Sequence, residues 1–287
     1  MAQDNWSYHV QKLTLIGRDG NFWYPASLAK RVSITEYKQD LGSAWSLPDG
    51  ISHLLHLAAD GSRNPYSEDA AQSFERMTEN LIVWAMKQRT LRAVVHASSG
   101  ACSKNRSLLI GDSEVNVTNA GKERFVEGRL KAESLLAQHL GKSLSLRICR
   151  LYTFSGPLML LRQRYAVSDF VTSAVRYRKI RIRGNPNTIR TYLDQSDLGH
   201  WLLKSIEHDF GLPVPLLEIG SETPVKIHEL ADFIGRATGA DVTFEPTLEA
   251  ADVYIPNTAQ TREILGVTET MVWQDSVSRM IRLAGTA

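Results

Sequence analysis

Over its first half the chain alternates short, β-rich apolar runs with longer stretches of helical periodicity, and this alternation most limits how it can fold. The runs are Lys12–Gly17 (KLTLIG), Val32–Glu36 (VSITE), His53–Leu57 (HLLHL), Ala93–Ala97 (AVVHA) and Leu144–Cys149 (LSLRIC). Between the third and fourth, Asp69–Arg89 places Phe74, Met77, Leu81, Trp84 and Ala85 at the steps of one helix face. Phe125–Leu140 reads as a second helix, ahead of the fifth run. Nearly unbroken apolar strands joined by helices predict a parallel sheet covered on both faces, because a strand with one wet face would alternate. Sheets of this kind hold ligands at the carboxyl ends of their strands.

After Gly156–Pro157 the pattern changes. A basic helical stretch (Val167–Arg178) leads to a short strand (Ile180–Arg183), a turn (Gly184–Asn187) and a helix (Ser196–His208). A strand at Leu216–Ile219 then precedes a helix at Ile227–Thr238. This predicts a sheet domain over residues 1–154 and a smaller lobe, interleaved with the sheet, over 155–287.

Composition removes several function classes. A net charge of +2 over 287 residues gives no broad basic field for nucleic acid. The run Arg176–Arg183 (RYRKIRIR) is a local exception that fits a solvated strand and helix end. No apolar run approaches the roughly 18–20 residues of a membrane span. The first residues, MAQDNWSYHVQKL, lack a basic-then-apolar signal. Two cysteines, Cys102 and Cys149, lie in strand and strand-end segments, and the eight histidines form no ligand cluster. Reduced, buried thiols, no metal and a cytoplasmic location are the expectations.

Several segments, taken together and in order, resemble the extended short-chain dehydrogenase/reductase family, in its NAD-dependent epimerase and dehydratase branch for nucleotide sugars. HLLHLAAD (53–60) is similar to the family's H-x-A-A strand end along the cofactor, with Ala58 and Ala59 as its small residues. VVHASSGACS (94–103) resembles the strand bearing the catalytic hydroxyl, which puts Ser99 at that position. RLYTFSGP (150–157) resembles the family's Arg-to-Gly-Pro turn. IRIRGNPNTIRTYLDQSDLGHWLL (180–203) resembles the segment that carries a phosphate-reading arginine, here Arg190. Tyr165 and Asp169 stand where relatives often carry a nucleotide-contacting asparagine. EIGSETPVKIHELADFIG and YIPNTAQTREILG resemble the closing elements. The resemblance implies a Rossmann-like doubly wound sheet, NAD or NADP as cofactor, a nucleotide-sugar ligand, and pairing with a second copy or a related enzyme through the helices Asp69–Arg89 and Phe125–Leu140.

Two departures alter that expectation. The family's first strand runs into G-x-x-G-x-x-G, whose glycines let main-chain N–H groups reach the pyrophosphate. Here LTLIGRDG resembles the family's second strand, with Gly17 and Gly20 in no such pattern. The expectation is a sheet short of its first strand and glycine-rich loop, with dinucleotide binding weakened or lost. The second departure concerns Tyr-x-x-x-Lys. Aligning the following Glu at Glu133 puts Phe125 at the tyrosine and Arg129 at the lysine, leaving Arg129 as a weak cofactor contact. A rival register uses Glu127 and Lys131. Neither supplies the tyrosine that exchanges a proton with substrate. Each candidate also has a plain structural role: Ser99 closing a turn, Ala58 and Ala59 packing, and Arg190 solvated after a turn.

Overall fold

The computed structural model describes residues 10–20, 22, 24–58, 66–103, 120–161, 165–207, 214–245, 247–248 and 250–285. It opens with β1 (Lys12–Gly17), a four-residue helix α1 (Ala26–Ala29) and β2 (Ser33–Lys38), which pairs in parallel with β1. Next come β3 (His53–His56), α2 (Glu68–Ala85), β4 (Ala93–Ser99), α3 (Ala120–Leu140) and β5 (Ser145–Leu151). The later part contains β6 (Phe154–Ser155), α4 (Ala166–Tyr177), β7 (Lys179–Ile182), β8 (Ile189–Arg190), β9 (Leu193–Asp194) and α5 (Gln195–Glu207). It closes with β10 (Leu216–Ile219), β11 (Val225–Lys226), α6 (Ile227–Thr238), β12 (Asp241–Phe244), α7 (Ala259–Leu265) and α8 (Trp273–Gly285).

The parallel sheet expected from the apolar strands is present. Its order is β10–β5–β4–β3, and all of its pairs are parallel. Each face buries a separate set of side chains. Val94 and Leu146 pack with Leu81, Trp84, Leu136 and Leu140 of α2 and α3. Val95, Cys149, Leu217 and Ile219 pack with Trp201 and Leu202 of α5 and Leu265 of α7. Strands covered on both sides need no polar alternation, which is why they read as continuous apolar runs. β1 and β2 form a two-stranded sheet of their own.

A second core lies between α4, α6, α8 and the β7–β12 pair, with Val171, Ile180, Leu230, Ile234 and Met280 fully enclosed. Phe154 packs against both this core and the sheet's α5 face.

The ends of the elements shift for local reasons. α2 stops at Ala85, four residues short of the stretch read from periodicity. Its last turns tighten, with Lys87 and Gln88 N–H groups donating to Trp84 and Ala85 carbonyls, where no further apolar residue needs burial. α3 extends back to Ala120, past the expected Phe125. α4 ends at Arg178, held at φ 53°, a left-handed cap in a residue with a side chain.

Candidate functional site

The carboxyl ends of β4, β5 and β10 lie side by side, with Ser99 in register with Leu151 and Leu151 with Ile219. Ser99 ends β4, and its hydroxyl oxygen accepts the Ala101 N–H at 3.1 Å, capping the single turn Gly100–Cys102. An accepting hydroxyl keeps its own proton to donate, so the turn contact and a ligand contact are compatible. Gly100 is obligatory in this turn. A Cβ there would meet the Tyr152 ring at 2.4 Å.

Beneath Ser99 runs a buried polar network that the sequence reading did not assemble. Ser98 donates to Glu133 Oε1 at 2.5 Å. Glu133 in turn takes a two-pronged contact from Arg150, 3.0 Å from Nε and 2.7 Å from Nη2. Both side chains of this pair are nearly buried, 12% and 8% exposed, so each compensates a charge that would otherwise be stranded. Arg150 reaches Ser103 Oγ at 3.4 Å, and Ser103 donates to Glu218. Glu218 also accepts from Tyr152 Oη at 3.2 Å and from the Asn257 N–H at 2.7 Å. The register pairs Glu218, the one polar residue of β10, directly with Arg150 of β5. That coincidence was the available signal. Burial, the largest cause, pushes the Tyr152 phenol well above its ordinary value, with Glu218 adding to it.

Phe125, Arg129 and Glu133 fall on the face of α3 turned toward the protein, with Glu133 buried and the other two half-buried. Glu127 and Lys131 are exposed, and Lys131 pairs with Glu75 of α2 at the surface. The inward stripe therefore carries a phenylalanine and an arginine ahead of the buried glutamate. Phe125 meets the Tyr66 ring edge-on at 5.6 Å. The Arg129 guanidinium lies 3.3 Å over the Phe74 ring and 4.9 Å from that of Phe125. Arg129 thus presents a charged plane stacked on aromatic rings, unlike a mobile ammonium.

Close to Arg129 stand two fully buried imidazoles in register on β3 and β4, His56 and His96, with Nδ1 atoms 2.9 Å apart. Burial, with the positive Arg129 as the second cause, lowers the His56 pKa to about 4. Burial also holds His96 well below its ordinary value, followed by His56 and Arg129. Both are neutral at pH 7, one Nδ1–H donating to the other Nδ1. His53, three residues from His56, is exposed on the other side of the strand.

The remaining sequence candidates are dispersed. Ala58 is half-buried just past β3, and Ala59 lies outside the described residues. Tyr165 and Asp169 meet at the start of α4, where the Asp169 N–H donates to the Tyr165 carbonyl at 2.9 Å. Tyr165 is 49% exposed. Arg190 stands on β8 and is engaged by Asp252, with Nη2 to Oδ2 at 2.9 Å. The aspartate had not been singled out, since nothing local in AADVY marks it as a partner. Among the described residues no group of three or more His, Cys, Asp or Glu side chains could hold a metal. The described cysteines, Cys102 and Cys149, are unbridged and buried, and no described helix is long and apolar enough to cross a membrane.

No family model matches the chain. Four curated proteins of Arabidopsis thaliana do, two of which follow. UDP-glucuronic acid decarboxylase 1 is 28% identical over 57% of this chain and 37% of its own length. UDP-glucuronic acid decarboxylase 2 is 28% identical over 54% and 34%. The chain thus spans little more than a third of the length of these relatives. Among solved structures, RMD from Pseudomonas aeruginosa complexed with NADPH superimposes with a TM-score of 0.74 at 16% identity, covering 95% of this chain and 99% of that one. MoeE5, in complex with UDP-glucuronic acid and NAD, gives 0.71 at 20% identity, covering 94% and 89%. Its relatives are extended short-chain dehydrogenases of the nucleotide-sugar type. The epimerase/dehydratase resemblance and the Rossmann-type parallel sheet expected from the motifs therefore hold.

Proposed function

We propose that this chain is a nucleotide-sugar-binding relative of the epimerase and dehydratase enzymes in which NAD(P)-dependent hydride chemistry is impaired. The observation that carries the reading is Phe125 on the inward stripe of α3. A phenyl ring has no proton to exchange with a substrate hydroxyl, and Arg129 is committed to stacking over Phe74.

The residues present also do not fit a dinucleotide well. The 287 residues contain no G-x-x-G-x-x-G. The crossover after β1 holds a four-residue helix whose N-terminus has no side-chain cap, instead of a long helix with its N–H groups turned toward a phosphate. These residues therefore support no step through NAD or NADP. What these residues do supply is a serine at a strand end, a buried Arg150–Glu133 pair that fixes the strand ends, and a lobe bearing Arg190, Tyr165 and Asp169 for a nucleotide sugar. This reading divides the chain into a sheet domain over 1–154 and a substrate lobe over 155–287, in a reducing, cytoplasmic setting suited to its thiols.

Calorimetric titration of NAD, NADP, UDP-glucose and UDP-glucuronic acid tests the proposal. A UDP-sugar should bind and the dinucleotides should not; micromolar NAD or NADP binding would overturn the impaired-cofactor reading. Val83, Met86 and Leu130 leave apolar surface on α2 and α3, which suits pairing with a second copy or a related enzyme. Light scattering after size exclusion should show a dimer.

A further inference from the structure

Three donors converge on the Glu218 carboxylate at the carboxyl end of β10, each from a different part of the chain. Oε1 accepts the Ser103 hydroxyl. Oε2 accepts the Tyr152 hydroxyl at 3.2 Å and the Asn257 N–H at 2.7 Å.

Two of these donors hold the turn that follows Ser99. Ser103 closes that turn, its N–H donating to the Gly100 carbonyl at 3.1 Å. Its hydroxyl accepts from Arg150 Nη1 at 3.4 Å, which directs its own proton to Glu218. The Tyr152 ring lies so close on Gly100 that a Cβ there would collide with it, and Glu218 fixes the hydroxyl of the same ring. Glu218 therefore grips the turn at its last residue and across its glycine. Ser99 Oγ accepts the Ala101 N–H from inside this turn at 3.1 Å, so a displaced turn turns the serine with it.

The third donor anchors Glu218 itself. Asn257 belongs to a segment that is tied down elsewhere: the Thr258 N–H donates to Glu222 at 2.6 Å, and Tyr254 Oη donates to the Leu151 carbonyl at 3.3 Å. The segment keeps its place without Glu218, whereas the turn depends on it. A side chain whose orientation is locked by such supporting hydrogen bonds can hold a binding group to its working geometry.

We propose that Glu218 is a positioning residue for Ser99: by clamping the turn through Ser103 and Tyr152, it aims the Ser99 hydroxyl at the sugar of a bound nucleotide sugar. The proposal rests on the nucleotide-sugar reading above. Positioning of this kind acts on the sugar end of the ligand alone, while a residue that only stabilises the fold acts equally on UDP-glucose and on UDP.

The test is calorimetric titration of UDP-glucose and of UDP into the wild-type chain, Glu218→Ala and Ser103→Ala, with circular dichroism to verify folding and amide hydrogen exchange to locate the change. Glu218→Ala should bind UDP-glucose about tenfold more weakly than wild type, the worth of a hydrogen bond to a charged group, with UDP affinity unchanged. Exchange should quicken at residues 100–103 and keep its wild-type rate at residues 254–258. Should Glu218→Ala fail to fold, Ser103→Ala, which takes one donor from the same carboxylate, carries the same criterion. Equal loss for both ligands, or no loss for either, in a folded variant would overturn the positioning role alone. Absence of UDP-glucose binding in the wild type would overturn it together with the nucleotide-sugar reading.

Discussion

His56 and His96 show what single residues decide here. The two rings are stacked with centroids 5.1 Å apart, and neither Nε2 has a hydrogen-bond partner among the described residues. Protonating either ring would bury a cation beside Arg129. The folded-state pKa is lowered, so the unfolded chain takes up protons first as pH falls. Stability is therefore complete above the ordinary 6.5, declines as pH drops through that value, and stops declining below the folded value of about 4. For His56, that interval at about 1.4 kcal/mol per pH unit is on the order of 3 kcal/mol. Urea midpoints at pH 7.5 and pH 5 should show the loss, and His56→Asn should flatten it; an unchanged slope in the variant would place the acid sensitivity elsewhere. Glu133 is the second decisive residue. Replacing it with alanine strands the Arg150 charge and should cost about 3–5 kcal/mol by chemical denaturation. A loss below 1 kcal/mol would mean that water already reaches the pair. The sequence showed Glu133 as a landmark for aligning α3. It did not show the acid–base pair, because Arg150 lies 17 residues away and becomes its neighbour through the strand–helix packing.

At the scale of elements, legibility follows the physics of each signal. β3, β4 and β5 were readable because burial on both faces leaves continuous apolar runs, and β1, half-buried in its own two-stranded sheet, still matches its expected span, Lys12–Gly17. The two-residue strands β6, β8, β9 and β11 carry no periodicity at all. They exist because neighbouring chain supplies partners, as β11 does for β8. Hence Arg190 was recognisable by motif while its position on a paired strand beside Asp252 was not. Helix ends follow residue-level rules more closely. α7 closes at Gly266, held at φ 62°, and a Cβ there would meet nothing within 4 Å. Gly266→Ala should therefore cost about 1 kcal/mol from backbone conformation alone. Gly100→Ala has the Tyr152 ring in the way and should cost more. If thermal unfolding ranked the two in the opposite order, the turn after Ser99 would be looser than its contacts indicate.

At the scale of the whole molecule, the question is whether the sheet and the later lobe unfold together. Their cores are distinct, one on the α5 face of the sheet around Trp201, the other around Met280 and Ile234. What joins them is partly apolar, through Phe154, and partly a buried polar knot. Asp194 of β9 is fully enclosed and accepts from Ser276 of α8 at 2.6 Å, from Arg279 at 3.4 Å and from the Ser196 N–H at 2.8 Å. Ser155 of β6 completes the knot with a 2.8 Å contact to Ser276. A carboxylate buried this way is costly unless all its donors stay in place, so separating α8 from β9 would strand a charge. That penalty couples the two cores and predicts one cooperative transition for the wild-type chain, with tryptophan fluorescence and far-UV circular dichroism moving at the same denaturant concentration. Asp194→Ala removes the charge and the knot together. It should lower the midpoint, by about 3–5 kcal/mol in stability, and separate the two probes if the polar knot is the main coupling. Coincident probes in the variant would assign the coupling to Phe154 and the α5 packing instead, a distinction that Phe154→Ala, measured in the same way, decides.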